Sequence, residues 1–386
     1  MKRVYLDHNA TTPVHPEVFQ AMKPFCLEEF GNASSIHGFG RFAREAVENA
    51  RETIAKICKC SPEEIVFTSG GTESDNMAIK GTAWQYMKKG QHIITSAIEH
   101  PAILESCHFL EQYGFQITYL KSDNKGIISP DDLKKAIRDD TILVSIMHAN
   151  NETGAIQPIA ELANIAHEKD ILFHTDAVQS TCKIPYTIGE LGVDMLSISG
   201  HKIYGPKGIG LFYIKKNTKI QQLSHGGSHE NNHRAGTENV AGIVGIAKAI
   251  EISWQDMAKE TARLRSLTGK FISELKNRID DIDIVGDIDN RVPNTVNVVF
   301  KAIEGESIVL SLDLKGIAVS SGSACSSGAV EPSHVIMAMG IPAELAQGSI
   351  RFSFGRSNDE SDVEYVLDVL QREVKRLRSI SPLYHN

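Results

Sequence analysis

Ser197-Ile198-Ser199-Gly200-His201-Lys202 closes an apolar run of strand length, Met195 to Ile198, with a glycine, a histidine and a lysine. A little upstream, Ile171 to Phe173 runs in the same way into His174-Thr175-Asp176-Ala177-Val178-Gln179. Short apolar runs that end in polar residues read as buried strands opening onto loops. A carboxylate at one strand end and a lysine just past another form the pair that pyridoxal phosphate needs. The amine makes a Schiff base with the aldehyde, and the carboxylate keeps the pyridine nitrogen protonated so that the ring takes up electrons. Each residue also has a plainer reading, because a strand-end Asp commonly forms a turn and a loop Lys is commonly solvated.

The chain around this pair has the alternation that suits it. From Ile65 to Ile214 the pattern predicts strands at 65–68, 92–96, 116–120, 142–147, 171–175, 195–198 and 211–214, with helices between them. Such alternation predicts an α/β fold with a mainly parallel sheet flanked by helices, whose ligands bind at the carboxyl ends of the strands. An extended polar arm is expected over residues 1–14, helices over 15–28 and 41–58, and a Gly/Asn/Ser loop over 31–40. After a helix from Val240, a long one is expected from Ser253 to Ile279, where Leu264, Leu267, Phe271 and Leu275 keep helical spacing. The remainder reads as a smaller α+β unit. We therefore expect a large domain over residues 15–252 and a small one made of 1–14 and 253–386.

At 386 residues, 41% hydrophobic and 23% charged, the chain is globular and long enough for two domains. A net charge of −8 advertises no basic face for nucleic acid or anionic membrane. No run approaches the ~18 apolar residues of a membrane span, and the first residues lack the apolar core of a signal peptide. Six cysteines in so long a chain make no disulfide framework, and free thiols in a reducing cytoplasm are the expectation. His225, His229 and His233 have metal-like spacing, but the glycines and asparagines among them disfavour the helix a zinc site would need, and no metal is expected.

Four further stretches carry chemistry. Thr68-Ser69-Gly70-Gly71-Thr72-Glu73 is a glycine turn from strand to helix, where free backbone N–H groups and the Thr72 hydroxyl suit a phosphate; it can also be an ordinary turn. Glu99-His100-Pro101 puts an imidazole at a strand end, able to lie on a ring and exchange protons, or simply to sit solvated. Met147-His148-Ala149-Asn150-Asn151 ends another strand in amides. Ser320-Ser321-Gly322-Ser323-Ala324-Cys325-Ser326-Ser327-Gly328 surrounds a thiol with loop-forming residues, which suits a nucleophile able to reach into a site, or is an inert free cysteine. Downstream, Ile350-Arg351-Phe352-Ser353-Phe354 alternates apolar and polar, aiming Arg351 as a carboxylate clamp or a surface ion pair.

Together these residues resemble the cysteine desulfurases of the NifS/IscS kind, within the class V aminotransferase family of fold-type I pyridoxal-phosphate enzymes. The resemblance spans nearly the whole chain. It lies in Tyr5-Leu6-Asp7-His8-Asn9-Ala10-Thr11-Thr12, Phe30-Gly31-Asn32-Ala33-Ser34-Ser35-Ile36-His37, the Gly71-Thr72-Glu73 turn and Ser199-Gly200-His201-Lys202-Ile203-Tyr204-Gly205-Pro206-Lys207-Gly208. It continues through Arg234-Ala235-Gly236-Thr237-Glu238-Asn239 and the Cys325 segment to Ser381-Pro382-Leu383.

The resemblance implies a desulfurase that takes sulfur from L-cysteine, gives L-alanine and holds a persulfide for an acceptor such as an iron–sulfur scaffold protein. Lys202 would carry pyridoxal 5'-phosphate, Asp176 would pair with its ring nitrogen, and His100 would stack on the ring and help move protons. Gln179 and Asn151 would bond the ring substituents, while Gly71, Thr72, Ser199 and His201 would hold the phosphate. Thr237 would reach the phosphate of a partner subunit, which implies a homodimer. Arg351, with Asn32, would bind the substrate carboxylate, and Cys325 would be the nucleophile and a possible transient cluster ligand. A selenocysteine lyase or an aminotransferase on the same fold is the alternative. Gly71, where many relatives have Ala, and the His229-Glu230-Asn231-Asn232-His233 segment depart from the family pattern.

Overall fold

The strand at Met195–Ser199 and its neighbours form the sheet around which the molecule is built. A computed structural model describes residues 2–322, 325–326, 329–382 and 384, with backbone alone at 325–326 and 329–330. In chain order the first half comprises β1 (Val4–Tyr5), α1 (Pro16–Leu27), α2 (Gly38–Cys58), β2 (Ile65–Thr68), α3 (Gly71–Tyr86), β3 (His92–Ser96), α4 (Pro101–Glu111), β4 (Gln116–Leu120), α5 (Pro130–Ala136), β5 (Thr141–Ser145), α6 (Ile159–His167), β6 (Leu172–Asp176), α7 (Ile188–Leu191), β7 (Met195–Ser199) and β8 (Gly210–Ile214). The second half comprises α8 (Val240–Arg278), β9 (Ile282–Val285), β10 (Thr295–Phe300), α9 (Gly305–Asp313), β11 (Ile317–Ala318), β12 (Ser320–Ser321), β13 (Cys325–Ser326), β14 (Ala329–Val330), α10 (His334–Ala338), α11 (Ala343–Ala346), β15 (Ser349–Ser353) and α12 (Glu360–Ile380).

The seven-stranded sheet has the order β2-β8-β7-β6-β5-β3-β4. Strands β4, β3, β5, β6 and β7 are parallel, and β8 runs antiparallel to both β7 and β2. The fold is therefore α/β with a mostly parallel sheet flanked by helices. The inner strands β3, β5 and β7 are buried on both faces, as a parallel sheet covered by helices requires, while the edge strand β4 is only partly covered. Because β6 and β7 pair Asp176 with Ser197, Asp176 and Ser199 leave the sheet at the same edge. The antiparallel β8 then sets Gly210 opposite both Ser199 and Thr68, which brings the Ser69–Gly71 turn beside the end of β7. A Cβ on Gly210 would stand 2.5 Å from the Gly70 Cα, so only glycine permits that approach.

A second, antiparallel sheet has the order β12-β15-β10-β9. It packs against α8 and α12 around a separate apolar cluster that includes Leu264, Phe271, Val298, Phe352, Val366 and Leu370. Phe271 lies 4.9 Å from Phe352 and 5.5 Å from Phe354, ring centre to ring centre. Replacing a buried phenyl of this kind by a methyl costs ~3–5 kcal/mol. The expected pair of helices before and after Ser253 is one helix of 39 residues. Val240–Arg278 has glycines but no proline, and its buried face passes from Ile243, Ile246 and Ile250, in the cluster that includes Phe67, Val144 and Leu196 of the large sheet, to Leu264, Leu267 and Phe271 in the cluster of the second sheet. That change of partner looks like a boundary in the sequence and is none in the backbone.

The arm at the start of the chain ties the two sheets. Val4 and Tyr5 pair parallel with Ile317 and Ala318, and His8 N donates to Ser353 O at 3.1 Å. Thr12 N then donates to His201 O at 2.9 Å, so the arm ends on the turn that carries Lys202.

Candidate active site

At the carboxyl edge of the large sheet the strand ends enclose a cavity of about 810 Å³, counting its open mouth. Its walls are Asn9, Ala10, Gly71, Thr72, Asp75, His100, Met147, Asn151, Asp176, Val178, Gln179, Ser199, His201, Lys202 and Arg351. Ten of the residues singled out in the sequence thus share one cavity. Asn32 and Thr237 stand outside it, both exposed, with Asn32 Oδ1 accepting from Ser34 N at 2.8 Å. The side chain of Cys325 lies outside the described residues; the backbone of β13 pairs antiparallel with β14.

Lys202 sits in the helical turn Gly200–Lys202 that β7 runs into. Its Nζ donates to Asn9 O at 2.5 Å and to Ala10 O at 2.7 Å. Burial pulls the amine down to about 8, the charge of Arg351 adds to this, and Asp176 opposes it. An amine lowered in this way has a larger neutral, nucleophilic fraction near neutral pH than a solvated lysine.

Asp176 ends β6 and is buried, with Oδ1 accepting from Val178 N at 2.8 Å. Burial raises its carboxyl above the usual range, while His100 and Lys202 work against the rise. His100 is the N-cap of α4, and its Nδ1 accepts from Ala102 N at 3.1 Å. The neutral ring therefore carries its proton on Nε2. Burial holds the imidazole below its ordinary value, so it is neutral at pH 7.

Arg351 lies mid-strand in β15, buried, with Nη1 donating to Asn151 O at 3.0 Å and Nη2 to Asp7 Oδ1 at 2.8 Å. Its Nε is buried without a hydrogen-bond partner among the described residues, as is Asp75 Oδ1. Gly71 and Thr72 open α3, whose first N–H groups are unpaired by the geometry of any helix start. A Cβ on Gly71 would come within 2.9 Å of Val178 Cγ2, so glycine here leaves Val178 its place in the wall.

Several contributors were not legible in the sequence. Asn9 is the most connected: its carbonyl accepts from Lys202 and from Gln179 Nε2, its Oδ1 from Lys183 and Asn294, and its Nδ2 donates to Asn151 O and Thr295 Oγ1. Lys183 Nζ donates to Gln179 Oε1 at 2.7 Å, which fixes which end of that amide is the donor. Behind the cavity, buried Glu99 takes O–H and N–H donors from Ser96 and Met147, and burial raises it to about 8. The motif at residues 5–12 was the available signal for Asn9. A buried Lys or Glu gives none, since both types are ordinarily exposed.

The family of the chain follows from comparison. A model of the aminotransferase class-V family matches residues 4–366, and the chain belongs to that family. Within it, the cysteine desulfurase IscS of Dictyoglomus turgidum is 60% identical over 99% of this chain and 97% of its own length. A solved NifS-like protein superimposes with a TM-score of 0.92 at 40% identity, covering 97% of this chain and all (100%) of that one. A structure of SspA in complex with cysteine gives a TM-score of 0.81 at 38% identity over 91% of this chain and 98% of that one. Identity of this order over the full length makes the chain an enzyme of the cysteine desulfurase branch.

Proposed function

We propose that this desulfurase uses pyridoxal 5'-phosphate held on Lys202, takes sulfur from L-cysteine and keeps it as a persulfide on Cys325, with L-alanine as the other product. The reading rests on one cavity whose wall carries a deprotonatable amine, a buried carboxyl and an arginine. The cavity fits the cofactor by its own chemistry. Desolvation outweighs the charges already near Asp176, so its carboxylate would be favoured by a cation in contact with it, and a protonated pyridine nitrogen is such a cation. The unpaired helix start at Gly71–Thr72, with Ser199 and His201 beside it, fits a phosphate.

When bound, the cofactor supplies an electron sink for the bonds at the substrate Cα. Arg351, on the cavity wall, offers its remaining guanidinium N–H groups to the substrate carboxylate and so sets which Cα bond stands across the cavity. Lys202 takes up and returns the Cα proton, which an amine lowered to about 8 does readily. His100 Nε2–H is a second proton donor on the wall. The Cys325 thiolate attacks the substrate sulfur; the new S–S bond forms as the carbon–sulfur bond breaks, and its electron pair stays with carbon and is protonated on the way to alanine.

The same reading takes the two apolar clusters as the cores of two domains meeting in α8 near Ser253, and the chain as a homodimer. Large apolar side chains stand exposed along α1, the segment after it and α2, with Phe30 71% and Ile36 90% accessible, and a second copy would cover them. The persulfide would pass to an acceptor such as an iron–sulfur scaffold in the cytoplasm. Among the described residues no helix is long and apolar enough to cross a membrane. To test the activity, the holoenzyme is given L-cysteine and alanine and protein persulfide are quantified. Cys325→Ala is expected to keep the cofactor's visible absorbance and form no persulfide, and release of sulfur by that variant at the wild-type rate would remove Cys325 from the mechanism.

A further inference from the structure

We propose that Glu152 is a positioning residue that pins both stems of the segment carrying Cys325, and so governs delivery of the thiol; this rests on the nucleophile assignment above. Glu152 is 5% exposed and follows Asn151 in the turn after β5. Its backbone is fixed from both sides, with N donating to Asn150 Oδ1 at 2.9 Å and O accepting from Asn297 Nδ2 at 3.4 Å.

The chain enters and leaves the Cys325 segment at this one carboxylate. On the exit side, Ser333 Oγ donates to Glu152 Oε2 at 2.5 Å and accepts from Ile336 N at 3.2 Å, so the hydroxyl that caps α10 is the one the carboxylate holds. On the entry side, a Cβ on Gly322 would lie 2.4 Å from Glu152 Oε2 and 2.9 Å from Ser333 Cβ. Only a residue without a side chain lets the backbone pass so close. The neighbouring residue of the exit stem, His334, bonds Glu99 O at 3.0 Å, one residue before His100.

The stems at Gly322 and Ser333 thus meet at one buried point, and that point is covalently next to Asn151, whose carbonyl holds Arg351. A tether closed at its base confines the group it carries to a smaller volume, which raises the effective concentration of the thiol at the cavity. Glu152 and Arg351 share the Asn151–Glu152 peptide, so the thiol's base and the substrate clamp are held in one frame.

The test separates delivery from chemistry at the cofactor. In holoenzyme, Glu152→Ala is expected to slow single-turnover persulfide formation on Cys325 by about tenfold, while Glu152→Gln, which keeps the acceptor and the volume, stays within about threefold of wild type. In a Cys325→Ala background, the spectral change on adding L-cysteine should be the same with Glu152 and with Ala at that position. In cofactor-free protein, alkylation of Cys325 by iodoacetamide should speed up in Glu152→Ala relative to exposed Cys26. Should Glu152→Ala not fold, Ser333→Ala carries the same test, with Ser333→Thr as its rescue. If Cys325→Ala still transfers sulfur, the nucleophile assignment fails. If Cys325→Ala is dead but Glu152→Ala and Ser333→Ala transfer at the wild-type rate, or if Gln fails to rescue, Glu152 does not position the thiol.

Discussion

Asp7 Oδ1 lies 2.8 Å from Arg351 Nη2, so the guanidinium expected to take a substrate carboxylate already holds one of the protein's own. The pair joins the arm to the middle of β15, and Asn151 O takes the other terminal nitrogen. Two of the five guanidinium N–H groups are thus fixed within the protein.

Asp7 is therefore read as the group that orients the clamp. Asp7→Ala is expected to raise the KM for cysteine by about three- to tenfold with kcat little changed, and Arg351→Lys to raise it by about ten- to a hundredfold, because Lys offers no fork. A lower KM in Asp7→Ala would mean that Asp7 competes with substrate instead of orienting its receptor.

The lowered amine of Lys202 gives a pH dependence with a defined direction. The group loses its proton near pH 8 instead of 10.5, so loading of cofactor-free protein should quicken as pH rises from 6.5 and level off above about 8. Removing the nearby cation in Arg351→Met should move the midpoint upward. Stopped-flow absorbance on adding pyridoxal phosphate measures both, and a midpoint at the ordinary lysine value would contradict the burial of this amine.

Lys183 makes a stability claim. Burial pulls it to about 7, with Lys202 and Arg351 adding to the effect. An unfolded lysine keeps its proton to about pH 10.4. Between those values the unfolded chain binds more protons, so folding stability rises with pH. Lys183→Met removes this contribution. The Tm of wild type relative to the Met variant should climb from pH 7 to pH 9.5 in cofactor-free protein; a constant difference across that range would show that Lys183 folds in charged.

A fourth expectation concerns the end of α2, away from the cavity. Lys59 is exposed and caps the helix with φ 56°, in the left-handed region. Lys59→Gly should stabilise the chain by about 0.5–1 kcal/mol, the relief of that conformation less the greater freedom of an unfolded glycine. Urea denaturation checks it, and a loss of stability would place the value of Lys59 in its side chain.

What could be foreseen divides along physical lines. Strands β2, β3 and β4 stand at the expected residues, because an apolar run closed by Gly, Pro or polar residues is a local signal. The direction of β8 was hidden, since an apolar run reads alike in both senses and the Lys202–Gly208 turn decides it. Strand β9 was obscured by its own charges, with Asp280, Asp281 and Asp283 around it. The cavity wall was legible where a strand end supplied it, as at Asp176, Ser199 and Lys202. It was illegible by periodicity where the arm supplied it: Asn9 meets Ser353 across a sequence separation of 344, and an extended polar stretch has no period to read, so only the motif at residues 5–12 marked it.

That arm also orders events at the ribosome. Val4 and Tyr5 await Ile317 and Ala318, and Asp7 awaits Arg351. The arm whose carbonyls receive the Lys202 amine therefore lacks these anchors until β15 has been translated. A nascent chain, even with its large sheet complete, holds a half-built vessel.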